Sequence, residues 1–160
     1  MRKAMILGGA LALAAPLALA STPASAAAPT DSTRGDVIPC AIPHVPGPAT
    51  VLGSGRKQGA VYRKYSITGT SPLQVGLYYL RNLPRRGYQI QAWGGGGFNI
   101  GKFAGSGFGV IAHAKPCGYV AIAAGSLLNS PTYLEVCTSR TQAALKNCST
   151  SRSVVPKSTQ

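Results

Sequence analysis

The sequence predicts an α+β fold: a single domain in which one helix packs on one face of a mainly antiparallel sheet, braced by disulfides. Three observations lead to it: five short segments with alternating apolar residues, one amphipathic segment with clear end signals, and four cysteines in a chain that carries an export signal. The segments follow one another as β-α-β-β-β-β. Consecutive strands with short connections pair antiparallel, and one helix covers only one face of such a sheet.

The predicted strands are short and are separated by turn residues. They cover residues 61–68, 88–93, 108–113, 119–124 and 132–137. On the face toward the helix we expect an apolar layer made of Ile67, Ile90, Val120, Ile122, Leu134 and Val136. On the opposite, solvated face we expect polar and aromatic side chains, namely Gln89, Gln91, Trp93, Tyr119, Tyr133 and Glu135.

The helix follows the first predicted strand and has the best local signals of the chain. Ser71 is a good N-cap, Pro72 fits the first helical position, and Gln74 stands where a capping box needs its return partner. The residues expected to face the sheet recur at helical spacing and are Leu73, Leu77 and Leu80. Pro84 should kink or end the helix, and Gly87 suits a left-handed residue beyond its end.

The amino terminus has the pattern of a secretory signal peptide. Arg2 and Lys3 precede an apolar run over residues 4–20, and small-residue cleavage patterns end at Ala20 and Ala26. We therefore expect a signal peptide over residues 1–26 and a secreted or cell-envelope location. After residue 26 no apolar run approaches the ~20 residues that span a bilayer, so no transmembrane segment is expected once the signal is removed.

The rest of the chain divides by composition into three parts. Residues 27–50 form a Pro/Ala-rich leader, in which closely spaced prolines disfavour helix and inner strand. Residues 51–138 form the α+β domain. Residues 139–160 form a basic Ser/Thr-rich tail that we expect to be disordered from residue 149, because it lacks periodic apolar residues.

The four cysteines, Cys40, Cys117, Cys137 and Cys148, predict two disulfides. Three connectivities are possible. Cys117 and Cys137 fall at the ends of neighbouring predicted strands, which favours that pair and leaves Cys40 with Cys148. No two cysteines have the close spacing of a zinc site, so neither a metal nor another cofactor is expected.

The charge is strongly positive, with 16 Lys and Arg against three acids and a net charge of +13. Removal of Arg2 and Lys3 with the signal leaves 14 − 3 = +11. A charge of this size attracts anionic partners such as envelope polymers, although it also serves solubility. Candidate binding residues are the cations Arg63, Arg85 and Arg86 and the aromatic residues Trp93, Tyr119 and Tyr133.

Catalysis has few candidate residues in this sequence. The acids are Asp31, Asp36 and Glu135, and the histidines are His44 and His113. These residues offer neither a nucleophile triad nor a pair of carboxylates, so we expect a protein that is not an enzyme.

Nucleotide binding is not expected either. Residues 96–102 match the start of a phosphate-binding loop, but Phe103 stands where Ser or Thr should follow, and a strand comes next instead of a helix. We interpret the glycine-rich stretch 94–109 as a hairpin connection or twisted ribbon.

One part of the chain resembles a known type of protein. Ser71-Pro72, then Tyr78-Tyr79-Leu80, Leu83-Pro84 and Gly87-Tyr88, resemble a pattern found in small exported domains of unknown function that are common among actinobacteria. The resemblance covers about residues 60–137. It implies a compact α+β module in an exported protein and implies no functional residues.

Three functional hypotheses follow. The first is a secreted, non-catalytic binding module for an anionic cell-envelope component. The second is a secreted protein-interaction or inhibitor module that uses the leader and the glycine-rich stretch, since loops often carry recognition. The third is an enzyme with a site at His113 and Glu135, which requires those two side chains to converge. The oligomeric state is left open.

Overall fold

The computed structural model describes residues 40–159. The predicted signal peptide and leader residues 27–39 lie outside this range. The described residues form one six-stranded antiparallel sheet with one α-helix against it, which confirms the α+β fold. The elements are β1 (Ala49–Lys57), β2 (Ala60–Ile67), α1 (Pro72–Asn82), β3 (Gln89–Ile100), β4 (Phe103–Ala114), β5 (Gly118–Leu127) and β6 (Thr132–Ser139), with 3₁₀ turns at Pro84–Arg86, Gln142–Asn147 and Lys157–Thr159.

The sheet has the strand order β1-β2-β6-β5-β4-β3, so β1 and β3 are its edges. β1 is a strand that the sequence analysis missed. It pairs with β2 through a two-residue turn at Gln58 and Gly59, both left-handed with φ of 44° and 85°. β1 is hard to recognise because it is mostly exposed and a bulge between Val51 and Gly53 breaks its alternation.

The glycine-rich stretch lies within two long paired strands, so its interpretation as a hairpin connection is wrong and its interpretation as a ribbon fits the structure. β3 and β4 pair over their whole length and turn at Gly101 and Lys102. Aromatic rings lie over two of the glycines: a Cβ at Gly95 would stand 2.5 Å from the ring of Phe108, and one at Gly105 would stand 2.6 Å from that of Phe98. Because these positions are glycine, each phenylalanine ring can lie against the backbone of the neighbouring strand.

The helix begins as predicted but turns a different side to the sheet. Ser71 and Gln74 form the capping box, and the helix ends at Asn82, before Pro84. Leu73 and Leu77 are 55% and 46% exposed, so the expected leucine face is wrong for these two residues. Leu80 is partly buried and packs against the core cluster as expected. The residues that α1 buries are Pro72, Val75, Gly76 and Tyr79.

Gly76 explains this orientation of α1. A Cβ there would overlap the ring of Phe108, so only glycine allows the helix to sit directly on β4 at this point. The expected apolar layer of the sheet is confirmed. Its fully buried members are Ile67, Val120, Ile122 and Leu134, while Ile90 and Val136 are partly buried.

The other face of the sheet is covered by the carboxy-terminal segment, residues 140–159. The expectation that this segment is disordered from residue 149 is wrong. Val154 and Val155 form a second apolar cluster with Leu127 and Tyr133, against which Phe98 and Ile100 pack. The backbone of Ser151 lies so close to Gly125 that a Cβ there would overlap its carbonyl oxygen. The predicted solvated face is therefore wrong for Tyr133 and Glu135, both of which are buried.

The disulfides are Cys40–Cys117 and Cys137–Cys148, so the predicted pairing is wrong. The register places Ala121, not Cys117, opposite Cys137. Cys117 lies just before β5 and packs in the cluster beneath the helix, whereas Cys137 bonds to the segment on the other face. Two disulfides are typical of proteins outside the reducing cytoplasm.

Candidate functional site: the basic end of the sheet

Seven exposed cations gather at one end of the sheet, which we call the basic end. The antiparallel order brings the β1–β2 turn, the β4–β5 turn, the end of β6 and the start of β3 to this end, together with the last turn of α1. The cations on these segments are Lys57, Arg81, Arg85, Arg86, Lys115, Arg140 and Lys146. With strands about 4.8 Å apart, the six-stranded end is roughly 24 Å wide.

Arg85 and Arg86 are held by the 3₁₀ turn that follows α1. Leu83 precedes the turn and is fully buried, and its carbonyl accepts the amide N–H groups of Arg86 at 2.9 Å and Tyr88 at 3.2 Å. Gly87 ends the turn with φ of 86°. The two arginines are thus exposed on a short segment whose base is anchored in the core.

Lys115 lies on the β4–β5 turn beside a cis Lys115–Pro116 bond. The next residue, Cys117, is bonded to Cys40, and Gly118 then takes a left-handed φ of 97°. A Cβ at Gly118 would stand 2.5 Å from the backbone oxygen of Ser139, so this turn is packed against the end of β6.

The remaining cations surround the β1–β2 turn. The side-chain amide of Asn147 donates to the carbonyl of Gln58 at 3.0 Å, which brings the 3₁₀ turn carrying Lys146 beside Lys57. Arg140 follows β6, whose last residue, Ser139, donates its hydroxyl to Thr141 O at 2.7 Å. Each cation of the basic end therefore lies on or beside a connection with a defined backbone.

Glu135 is the only carboxylate side chain in residues 40–159, and it is used inside the protein. It is 3% exposed. Its two oxygens accept the Ser149 amide at 2.7 Å and the Ser149 hydroxyl at 2.6 Å, and Lys64 Nζ lies 3.7 Å away. Within the described part of the chain, no acidic side chain offsets the positive potential of the basic end.

The three candidate aromatic residues do not share a surface. Tyr119 is half-buried near the basic end, where its ring lies 4.3 Å from that of His113. Trp93 is on the helix side because a bulge between Ile90 and Ala92 shifts the register, and its ring stacks on Phe108 at 5.9 Å. Tyr133 is buried beneath the carboxy-terminal segment.

Of the candidate cations, Arg85 and Arg86 belong to the basic end, and Arg63 is exposed in the middle of β2. The sequence alone did not indicate Lys57, Arg81, Lys115, Arg140 or Lys146 as candidates. These five are scattered in sequence, and the strand order brings them to one end of the sheet. Their positions at the ends of strands and of the helix could have indicated them, provided that β1 had been recognised as a strand.

The structure separates His113 from Glu135. Both point to the same face, but two strand spacings and four residues of register lie between them, or about 17 Å. In residues 40–159 no three His, Cys, Asp or Glu side chains group together as metal ligands.

A cleft of about 490 Å³ lies at the opposite end of the sheet, beside the start of α1. Its lining includes the hydroxyl residues Thr70, Ser71, Ser106, Ser126, Ser130 and Thr132 and contains no charged side chain. The cleft thus lacks the acids and bases of proton-transfer chemistry.

No described helix is long and apolar enough to cross a membrane. Comparison of the chain with protein-family models, curated proteins and solved structures found no match.

Proposed function

We propose that this protein is a secreted, non-catalytic binding module that holds an anionic polymer of the cell envelope at the basic end. The observation that carries the proposal is the gathering of seven exposed cations at one end of a sheet whose described residues contain a single, buried carboxylate. The two disulfides support a site of action outside the reducing cytoplasm.

The distribution of charge favours binding over solubility alone. Charge that serves only solubility is best spread with both signs mixed, which avoids a large field of one sign. Here thirteen Lys and Arg stand against one Glu in residues 40–159, and more than half of them lie at one end. Such a field raises the local concentration of anions and speeds their association.

The shape of the basic end favours an extended ligand over a small one. Its cations lie on separate connections across a width of roughly 24 Å. A polymer with repeated phosphate or carboxylate groups reaches several of these cations at once, and the release of its counterions makes binding dependent on salt.

The test measures binding of the mature protein to isolated cell envelope, polyphosphate and polyglutamate across a salt series. We compare Arg85→Glu/Arg86→Glu with Arg63→Glu/Lys102→Glu. Both variants change the net charge by −4, but the second leaves the basic end intact, since Lys102 lies on the turn at the opposite end.

We expect the first variant to lower affinity at least tenfold more than the second, and to reduce the slope of log K against log salt by about two. Equal losses in the two variants would show that only net charge matters and would refute the site. No binding by the unmodified protein at low salt would refute the function.

A further inference from the structure

The outer edge of β3 is an exposed strand edge between Ala92 and Phe98. Beyond this stretch, β3 has a bulge between Ile90 and Ala92, and the guanidinium of Arg152 donates to the carbonyl of Asn99. β3 is the last strand of the sheet, and among the residues that the structure describes no strand pairs with its outer side. Its twelve residues contain neither a charged residue nor proline. The other edge, β1, carries Arg56 and Lys57 and has a bulge, which are devices that prevent edge-to-edge pairing.

Aromatic rings cover glycines across the β3–β4 pair. Phe108 stands directly opposite Gly95, and Phe98 directly opposite Gly105, and each ring lies over its glycine. This arrangement hides the bare backbone of a glycine under the side chain of the neighbouring strand.

On the helix-bearing face of β3, two residues lack such a match. Trp93 is 63% exposed although its ring stacks on Phe108. At Gly97 a Cβ would meet only the backbone oxygen of Gly105, at 3.7 Å, so no ring covers it. Trp93, Gly95 and Gly97 alternate along the strand and therefore lie on the same, helix-bearing face.

We propose that β3 pairs antiparallel with β3 of a second copy of this chain, about a two-fold axis at Gly95. This register places each Trp93 opposite Gly97 of the other copy and each Gly94 opposite Gly96. A two-fold axis perpendicular to the sheet keeps the helix on the same side in both copies, so each Trp93 ring covers the glycine that lacks one. The same register places Phe98 opposite Ala92 on the other face.

This pairing closes instead of growing into a fibre. A two-fold interface uses the same patch on both copies, and the resulting twelve-stranded sheet ends in the protected β1 edge on both sides. Because the paired strands are antiparallel, the two basic ends lie at opposite ends of the dimer. Each end of the dimer therefore carries the basic end of one copy.

Salt separates this inference from the proposed function. Both copies are strongly positive, so added salt screens their repulsion and favours the dimer, whereas it weakens polyanion binding. The experiment is sedimentation velocity over a series of protein concentrations in 0.1 M and 1 M sodium chloride. The chain has one tryptophan, so the fluorescence of Trp93 reports directly on the interface.

The test variant is Gly94→Lys/Gly96→Lys, which places lysines opposite each other in the dimer. Neither position has another atom within 4 Å of a Cβ, so the monomer accommodates the change. The matched control is Gly53→Lys/Ser54→Lys on β1, where Gly53 is equally open. A thermal unfolding curve checks that each variant is folded.

We expect a concentration-dependent dimer that is stronger in 1 M salt and has a blue-shifted tryptophan emission. The β3 variant should weaken the dimer at least tenfold, and the β1 control should change it less than twofold. A monomer at every concentration in both salts would overturn the proposal. A dimer that resists the β3 variant, or that the β1 control weakens equally, would also overturn it.

Discussion

Ser149→Ala removes the hydroxyl that makes one of two hydrogen bonds between the carboxy-terminal segment and Glu135 of the sheet. The Ser149 hydroxyl donates to Glu135 Oε2 at 2.6 Å, and this carboxylate is 3% exposed. A hydrogen bond to a charged group contributes about 1.5–3 kcal/mol, more than a neutral one, and a buried carboxylate that loses a donor has little access to water. We therefore expect Ser149→Ala to lower the free energy of unfolding by about 2 kcal/mol.

The assay is urea unfolding at pH 7 with the disulfides intact. With a slope of about 2 kcal/mol per M, the loss moves the midpoint down by roughly 1 M. Ser153→Ala is the matched control. It is the same change four residues later, in an exposed side chain that bonds only within its own turn, to Thr150. We expect this control to cost about 0.5 kcal/mol.

Equal midpoints for the two variants would refute the reasoning, because the Ser149 hydroxyl would then contribute no more than an exposed one. A double-mutant cycle with Glu135→Gln isolates the pair. Its coupling energy should be about 1–2 kcal/mol. A coupling energy near zero would show that Ser149→Ala acts elsewhere than on Glu135.

Two further predictions concern the helix. Gly76→Ala should destabilise the domain by about 2–3 kcal/mol, because its Cβ overlaps the ring of Phe108. The control Gly94→Ala places its Cβ in open space and should be neutral or stabilise the domain by up to about 1 kcal/mol. Equal urea midpoints for the two variants would contradict the packing of Gly76 against Phe108. Burial, with smaller contributions from Tyr65 and Tyr78, raises the pKa of Tyr79, whose hydroxyl has no hydrogen-bond partner among the described residues. The folded state therefore holds this proton more tightly than the unfolded state. The contribution of Tyr79 to stability is constant below pH ~10 and falls by up to about 1.4 kcal/mol per pH unit above it. Tyr79→Phe should flatten this fall in urea midpoints measured from pH 9 to 11, and an unchanged fall would assign it to other groups.

Local patterns predicted much of this fold. Alternation located β2, β4, β5 and β6 and the apolar layer beneath the helix. End signals located α1, because a capping box and a following proline act within a few residues of chain. The resemblance to exported actinobacterial domains stays a prediction, as does the absence of catalysis.

The features that local patterns missed depend on contacts between distant segments. The helix turns Gly76 inward because Phe108, on another strand, occupies the space of a side chain. The carboxy-terminal segment lies on the sheet because Ser149 bonds to Glu135 and Val154 packs in the second apolar cluster, although the segment has no periodic pattern of apolar residues. A single bulge moved Trp93 to the other face of the sheet.

The candidate site could be predicted only in part for the same reason. Arg85 and Arg86 are adjacent in sequence and stand out as a pair. Lys57, Lys115 and Arg140 lie in three different connections, and their nearness follows from the strand order. Charge counts gave the sign of the potential but not its location.

The strand order also constrains when the chain finishes folding. β2 lies between β1 and β6, and the register pairs Ala60 with Ser139, 79 residues later. During synthesis from the amino terminus, the β1–β2 hairpin can form early. β6, the strand that pairs with the inner side of β2, is complete only when residue 139 has been synthesised. Pairings this distant in sequence make folding slow. Until then the sheet lacks the strand that joins the β1–β2 hairpin to the rest of the domain, so the fold is completed only after β6 is available.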